Sequence, residues 1–319
     1  MIARSIVARS ATALAVASLW AAQALAADPS FPLGSRVGLV APGAMMPSTT
    51  LRGFEDRDTK ASMLILELPP QAYAEVEKQM SPAALTAQGM TDEKRETVTL
   101  KSGTGVLIVG QQAADNKKVR KWILLASTPE VSALIAVQVP DDASAKYPDA
   151  DVRAALLSMT VRPSVPIDEQ LRLVPIALTD LSGMRPFRVI PNGAVFLTEG
   201  PKDLLEATEQ PVLVISVAPG GPEQATDREN FARNLFTGLT DFKDVRIIGR
   251  DLLRLDNQQT HEIQAEAKDA KTDTPMKLVQ WVRFGGGAFI RFVGVARADA
   301  WTRAFPKFRA VRDGVKPRV

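Results

Sequence analysis

Short apolar runs bounded by Gly, Pro and polar residues recur through the first half of the chain and predict β-strands. The run Met63–Leu68 comes first, and the segment Gln71–Met80 that follows it has the pattern of a short helix. Four further strands are predicted at Glu96–Lys101, Gly105–Gln111, Val119–Ala126 and Val131–Val139. A closing helix is predicted to begin at Pro148, because proline suits the first turn of a helix.

The second half repeats this order of elements. Val212–Val217 is predicted to be a strand and Ala225–Phe236 a helix, with Thr226 and Glu229 spaced as a capping box. The remaining predicted elements are strands at Val245–Leu255, His261–Lys268, Met276–Phe284 and Ala288–Arg297, a tight reversal at Gly285–Gly287 and a closing helix at Phe305–Val315. Successive strands between flanking helices favour an α+β fold of antiparallel sheets covered by helices, rather than a doubly wound parallel sheet.

Pairs of segments match between the two halves in the same order, which predicts an internal duplication. The matches are Gly34–Pro42 with Gly183–Pro191, Met63–Pro70 with Val212–Pro219, Lys121–Ile123 with Gln280–Val282, Tyr147-Pro148 with Phe305-Pro306, and Val161–Pro163 with Val315–Pro317. We predict one unit over residues 27–163 and a second over 183–319; the alternative is two unrelated α+β domains with similar patterning. Residues 164–182, with a short helical pattern at Ile167–Val174, predict an ordered lead-in to the second unit.

Several of these features resemble the PsbP-like family. They are the strand pairs around Trp122 and Trp281, and the closing helices after Tyr147-Pro148 and Phe305-Pro306. The lead-in from Asp168 to Gly183 is also similar to tandem uncharacterised exported proteobacterial proteins of this kind. The resemblance covers about residues 34–163 and 183–319 through loose, fold-level motifs. It implies two α/β/α sandwiches with binding, assembly or accessory roles, and it carries over no catalytic residue.

The first 26 residues have the pattern of a secretory signal peptide. Arg4 and Arg9 precede an uncharged apolar run over residues 11–22, and Ala24-Leu25-Ala26 is a small-x-small cleavage site. The apolar run is shorter than the roughly 20 residues that span a bilayer, which argues against a membrane anchor. We therefore expect cleavage after Ala26, a periplasmic protein and no transmembrane segment in the mature chain.

Composition narrows the possible chemistry. The 319 residues include no cysteine and one histidine, which excludes disulfides, thiolate nucleophiles, cysteine-based metal sites and sites with several histidine ligands. The formal net charge is +3, and removal of Arg4 and Arg9 with the signal peptide would bring it to +1. The whole mature molecule is therefore not expected to bind polyanions through its overall charge, and nucleic acid is not an expected partner.

Candidate catalytic groups are few. His261 lies next to Glu262 near the start of a predicted strand, where neighbouring side chains point to opposite faces, so it is expected at a surface or hairpin position. The stretch Gly103–Gly110 lacks the Lys-Ser/Thr of a phosphate loop and leads into a strand rather than a helix, and Gly285–Gly287 lies between strands, so their glycines are expected to form turns. The carboxylate clusters are Glu55–Asp58, Asp141-Asp142 and Asp149 with Asp151, and they are expected to be solvated turns rather than metal sites. We predict no cofactor and no metal.

The C-terminal segment 277–318 holds ten basic residues against only Asp299 and Asp313. It predicts either a basic face for an anionic envelope component or acidic protein, or a set of arginines balanced by acids from elsewhere. The candidate contacts are Arg283, Arg291, Arg303, Lys307, Arg309 and Arg312. Trp281 and Arg291 are expected to be cross-strand neighbours with a cation–π contact.

The resulting hypothesis is a non-catalytic periplasmic binding or accessory protein, with its ligand or partner site between the two units. One alternative is an envelope interaction protein that uses the basic C-terminal face. Another is a hydrolase or lyase that depends on carboxylates.

Overall fold

A computed structural model of the chain describes residues 28–114, 117–191 and 193–318, and the predicted signal peptide lies outside this range. The first body is built from the following elements: β1 (Val37–Gly38), β2 (Met46–Pro47), β3 (Gly53–Asp56), β4 (Ala61–Leu68), α1 (Tyr73–Gln79), α2 (Pro82–Ala87), β5 (Met90–Leu100), β6 (Gly103–Ala114), β7 (Lys117–Ser127), β8 (Ser132–Pro140), α3 (Asp149–Leu157) and β9 (Thr160–Val161). A turn of 3-10 helix, Pro70–Ala72, leads into α1, and a second, Asp141–Ala143, follows β8.

The second body follows the same plan. Its elements are α4 (Ile167–Arg172), β10 (Ile176–Leu178), β11 (Arg185–Ile190), β12 (Ala194–Thr198), β13 (Val212–Pro219), α5 (Arg228–Thr237), β14 (Phe242–Leu255), β15 (Gln258–Asp269), β16 (Pro275–Gly285), β17 (Ala288–Arg297), α6 (Trp301–Asp313) and β18 (Val315–Pro317). A 3-10 turn, Ala225–Asp227, precedes α5. The prediction of an α+β fold with antiparallel sheets is confirmed.

Each body contains a seven-stranded antiparallel sheet, and the two sheets have the same strand order. The order is β2-β3-β4-β8-β7-β6-β5 in the first body and β11-β12-β13-β17-β16-β15-β14 in the second. In both bodies a short strand that precedes the sheet pairs with a short strand that follows the closing helix, β1 with β9 and β10 with β18. Common ancestry of the two bodies remains a prediction.

The register of the sheets corrects two segment matches made from sequence. Trp122 pairs across β8 and β4 with Val137 and then Met63, whereas Trp281 pairs across β17 and β13 with Phe292 and then Ile215. Met63 therefore corresponds to Ile215 rather than to Val212. The strand β1 corresponds to β10, because both pair with the last strand of their body, so Gly34–Pro42 does not correspond to Gly183–Pro191. Short matches of low identity do not determine strand register, and a shift by an odd number of residues, here three, exchanges the two faces of a strand.

A hydrophobic core fills the space between each sheet and its closing helix. In the first body Trp122 and Tyr147 are fully buried beside residues of α3 such as Leu156. In the second body Trp281 is fully buried beside Phe308 of α6. Replacing such a buried aromatic residue by Ala costs about 3–5 kcal/mol, so these two cores are the main stabilising contacts of the closing helices.

The segment predicted as a lead-in is packed into the second body. Val174 and Ile176 are buried in the second core, and Ile167 and Leu171 of α4 pack against it. The second core therefore includes residues that the sequence interpretation placed in the linker 164–182. The predicted helix Ile167–Val174 is present but ends at Arg172.

Three local predictions have different outcomes. The reversal at Gly285–Gly287 is confirmed: Gly286 and Gly287 have φ of +60° and +72°, as a two-residue type I′ hairpin turn requires. The capping box is wrong, since α5 begins after Asp227 without a side-chain cap. The last helix begins at Trp301, and Pro306 lies inside it rather than in its first turn. Stacking of Trp301 on Phe305, with ring centroids 5.1 Å apart, anchors this added turn.

Candidate functional site: an arginine-lined cavity in the second body

A cavity of about 500 Å³ lies between the edge strand β14, its neighbour β15 and the closing helix α6. Its lining residues are Leu253, Arg254, Leu255, Glu262, Gln264, Phe305, Arg309, Arg312 and Asp313. The volume is in the range of small-molecule sites. The cavity is therefore lined by both apolar and charged side chains.

Arg312 on the last turn of α6 forms the inner wall of this cavity, with only 3% of its surface exposed. Its Nε and Nη2 donate to Asp313 Oδ1 at 2.8 Å each, and its guanidinium lies over the Trp281 ring, 4.7 Å from the centroid. Its Nη1 lies 3.6 Å from Glu262 Oε2, and it makes no hydrogen bond to any described residue. A buried N–H without an acceptor is costly, so this group is suited to an anionic ligand.

Glu262 holds this wall in place from β15. Trp281, directly opposite on β16, donates its indole N–H to Glu262 Oε2 at 2.5 Å, and Gln264 Nε2 donates to Oε1 at 2.6 Å. Residues 262 and 264 share one face of the strand because side chains alternate along it. The carboxylate is thus fixed by neighbours, and its field acts on Arg312.

Arg309 lies one turn before Arg312 on the same side of α6, because residues three apart are neighbours on a helix. Its guanidinium sits 5.9 Å from the Phe305 ring centroid, and the side chain is exposed. Among the described residues, no carboxylate lies within salt-bridge distance of it. Three arginines and two acids line the cavity, which leaves one excess positive charge there.

The other predicted basic contacts do not join this site. Arg283 is buried and donates to the Val315 carbonyl, while Arg291 donates to Gln280 and to the Leu235 carbonyl on the opposite face of the sheet. Burial lowers the pKa of both groups. Arg303 and Lys307 both approach Glu199, at 3.2 and 2.8 Å. The six predicted residues therefore do not form one basic face; only Arg309 and Arg312 share a cavity.

The expected contact between Trp281 and Arg291 is also wrong. Trp281 pairs with Phe292, and Arg291 pairs with Val282, so the two side chains lie on opposite faces of the sheet. Arg312 occupies the position over the indole ring instead. A helix residue more than thirty positions away cannot be placed by strand spacing, which is why sequence reasoning missed this contact.

His261 is more enclosed than expected. It is 9% exposed, packs edge-on against Phe284 and lies 3.2 Å from Gln259 Nε2. Desolvation lowers its pKa, an effect that Glu229 partly opposes and Arg228 reinforces. Its side chain faces α5 and that of Glu262 faces α6, as the alternation predicted. The expectation of a surface position for His261 is corrected by its packing under α5.

Two of the predicted carboxylate clusters contain an acid that makes hydrogen bonds to buried aromatic side chains. Asp56 is 6% exposed and accepts hydrogen bonds from Tyr147 and Lys146, so it is not a solvated turn residue. Asp149 accepts from the Trp122 indole at 2.8 Å and from Arg120 at 3.2 Å. Within residues 28–114, 117–191 and 193–318, no group of three or more His, Asp or Glu is placed to hold a metal ion.

The expected site between the two units has no counterpart among five cavities found in the described chain. Four of these cavities are lined only by residues of the second body and one only by residues of the first. Across the described segments, no helix is both long enough and apolar enough to cross a membrane.

No family model matches this chain, and no curated protein matches it. Three solved structures are similar to it in part. LpqN, involved in cell envelope biogenesis of Mycobacterium tuberculosis, is 12% identical, with 50% of this chain and 100% of LpqN covered at a TM-score of 0.37. Cyanobacterial PsbP (CyanoP) from Synechocystis sp. PCC 6803 is 14% identical, with 44% and 91% covered and a TM-score of 0.30. The type VI secretion immunity protein TplEi from Pseudomonas aeruginosa is 9% identical, with 91% and 96% covered and a TM-score of 0.30. The PsbP-like resemblance is therefore weak and concerns the fold alone.

Proposed function

We propose that the protein is an exported, non-catalytic accessory protein that binds an anionic amphiphile in the cavity between β14 and α6. The observation that carries this proposal is the meeting of Arg309 and Arg312 with an apolar wall in one cavity. Arg309 supplies an exposed guanidinium without a carboxylate partner among the described residues. Arg312 supplies a buried Nη1 that makes no hydrogen bond to a described residue and lies 3.6 Å from Glu262 Oε2. A carboxylate or phosphate head would provide acceptors for both.

The apolar side of the cavity indicates that the ligand also has an apolar portion. Leu253, Leu255 and Phe305 are half-buried and line the same cavity as the arginines. Covering such apolar surface contributes about 25 cal/mol per Å². A ligand with an anionic head and a short alkyl or other apolar portion therefore matches the cavity better than a bare inorganic anion.

The non-catalytic part of the proposal rests on how the titratable groups are held. Glu262, Asp56 and Asp149 each accept a hydrogen bond from a buried aromatic side chain, a Trp or a Tyr. His261 faces away from the cavity. A general base must be oriented toward a substrate, whereas each of these carboxylates is oriented by a packing contact with an aromatic side chain. The periplasmic part rests on the signal peptide pattern of residues 1–26.

The experiment compares octyl phosphate and octanoate with octanol by isothermal titration calorimetry on the mature chain. We expect both anions to bind and octanol not to bind, and Arg309→Gln to weaken binding about tenfold. Arg303→Gln is the matched control, because it removes an exposed arginine of the same helix outside the cavity. Equal affinity of wild type and Arg309→Gln would refute the site.

A second set of measurements tests the rest of the proposal. Mass spectrometry of the chain from a periplasmic fraction should give Ala27 as the first residue. A carboxylate-dependent hydrolase or lyase is the alternative, and it predicts turnover of a generic ester or phosphate ester that Glu262→Gln abolishes. Such turnover would overturn the accessory role while leaving the anion site standing.

A further inference from the structure

The opposite face of the second sheet is incompletely covered by helices. In the first body both α1 and α2 pack on this face, and Leu85 of α2 is buried beside Met90 at the start of the edge strand β5. In the second body residues 238–241 connect α5 directly to the edge strand β14, and no helix takes the place of α2. We call the uncovered part of β14 and β15 beside α5 the open strip.

Apolar side chains remain exposed along the open strip. Val245 is 46% exposed and Leu252 64%, and each lines a cavity on this face. On the corresponding face of β5 the large apolar residue is Met90, which is 3% exposed beside Leu85 of α2, whereas Val98 and Leu100 pack into the core on the other face. A run of exposed apolar residues at one position of the fold, absent from its counterpart, is typical of a contact surface.

Two cavities lie along the open strip. The first, about 310 Å³, is lined mainly by apolar residues: Phe236, Thr237, Leu239, Phe242, Val245, Ile247 and Leu278. The second, about 210 Å³, lies toward the end of β14 and is lined by Glu229, Ala232, Arg233, Arg250, Asp251, Leu252, His261, Glu262 and Ile263. Asp251 and Glu262 pair directly across β14 and β15 and point to the other face of the sheet, so the charged side chains on this face are Glu229, Arg233 and Arg250. The strip therefore offers an apolar depression at one end and a depression with charged borders at the other.

The charged borders carry two arginines. Arg233 projects from α5 and Arg250 from β14, and neither has a carboxylate within 4 Å among the described residues. Arg233 donates only to Asn230, and Glu229 is the acid of α5 in the same cavity. A partner with carboxylates opposite Arg233 and Arg250 would complement this border.

The geometry favours a helix over an added strand. The pairing of β14 with β15 is interrupted by register shifts between Lys243 and Arg246 and between Ile247 and Gly249. Asp244 there has a φ of +53°. Bulges of this kind blunt an edge against strand addition. The free space, moreover, lies over the face of the sheet, where the first body places a helix.

We propose that the open strip docks a short amphipathic, acidic helix of another protein. Leu or Met side chains spaced i, i+4 would enter the two depressions, as Leu85 does in the first body, and Glu or Asp side chains would face Arg233 and Arg250. This site lies on the other face of the sheet from the anion-binding cavity and does not depend on it.

The test uses a fluorescein-labelled helical peptide with Leu at i and i+4 and Glu at flanking positions, titrated with the mature chain by fluorescence anisotropy. We expect saturable binding that Leu252→Asp and Arg250→Glu each weaken about tenfold or more. Leu66→Asp is the matched control, since Leu66 is a 44% exposed leucine on β4 of the first body. Arg309→Gln should leave peptide binding unchanged, so failure here and failure of the anion site are distinguishable.

A charge exchange sharpens the result: a peptide with Lys in place of Glu should bind the Arg250→Glu chain better than it binds wild type. Absence of saturable binding, or equal binding by Leu252→Asp, would overturn the proposal. Tighter binding of an extended peptide of the same composition without helical propensity would replace it with strand addition. A wild-type dimer in sedimentation that Leu252→Asp dissociates would assign the strip to a second copy of the chain and overturn it too.

Discussion

Tyr147 donates a 2.6 Å hydrogen bond to Asp56, a residue 91 positions earlier in the chain. Tyr147 is fully buried and Asp56 is 6% exposed, and Lys146 Nζ binds the same carboxylate oxygen at 2.8 Å. The contact joins the end of β3 to the segment before α3. It ties together parts of the first body that no local pattern brings together.

Replacing Tyr147 by Phe removes this hydrogen bond and keeps the ring. Loss of a hydrogen bond to a charged group should lower the free energy of unfolding by about 1.5–3 kcal/mol, measured by urea denaturation. Tyr73→Phe is the control, because the Tyr73 hydroxyl makes no hydrogen bond to a described residue. Equal stability of the two variants would contradict the structural role of the Tyr147 hydroxyl.

The same pair predicts a pH dependence at both extremes. Burial and Asp56 raise the pKa of Tyr147 to about 12, so its contribution is present below pH ~10, where the unfolded tyrosine begins to ionise, and is lost as the pH rises toward 12. Lys146 and Tyr147 lower the pKa of Asp56, so its contribution is present above pH ~4 and is lost as the pH falls. Wild type should therefore lose stability more steeply than Tyr147→Phe at both ends, by denaturation midpoints.

His261 gives a third pH window. Desolvation lowers its pKa below the usual value near 6.5, so the neutral ring stabilises the fold above that pH and the contribution is lost as the pH falls below it. We expect His261→Gln to reduce the drop in thermal midpoint between pH 7.5 and about 5. A steeper drop in the variant would mean that the charged ring is the favoured form.

Gly294 on β17 lies against the core of the second body. A Cβ there would come within 2.6 Å of Phe308 Cδ2, and Phe308 is fully buried. Gly294→Ala should cost about 1–3 kcal/mol of unfolding free energy through overpacking. Gly249→Ala is the control, since its nearest neighbour would be at 3.8 Å, and it should unfold at nearly the wild-type denaturant concentration.

Glu169 of α4 connects the two bodies. Arg162 donates to its two oxygens at 2.8 and 2.6 Å, and the Gly34 N–H donates at 3.3 Å. Arg162 lowers the pKa of this carboxyl, so it is charged at neutral pH. Glu169→Gln should lose about 1–2 kcal/mol and speed hydrogen exchange in residues 164–173. Glu209→Gln, which breaks an exposed pair with Lys202, should change neither quantity.

The long elements follow from local pattern, and the short ones do not. The strands around Trp122 and Trp281 and the helix over Ala225–Phe236 have enough apolar repeats to indicate their type and order. Strands β1, β9, β10 and β18 contain two or three residues each, too few for any periodicity, and they exist only because each pairs with a distant partner. For this reason the sequence pattern places residues 164–182 outside the second body, although Val174 and Ile176 are part of its core.

The candidate site was only partly accessible from sequence. Alternation along β15 correctly separated His261 from Glu262, and the basic run included Arg309 and Arg312. The charge count could not say which arginines are buried. Arg283 is buried against the last strand, whereas Arg303 is exposed and pairs with Glu199, and both contacts depend on tertiary packing. The cavity itself arises from the gap between β14 and α6, which no spacing rule describes.

The pairing of β1 with β9, and of β10 with β18, brings the two chain ends of each body side by side. Neighbouring chain ends are the feature that circular permutation uses, and here they lie outside the seven-stranded sheet of each body. The architecture is accordingly suited to concatenation: a chain could lengthen by whole bodies, each adding its own surfaces while the existing ones stay intact.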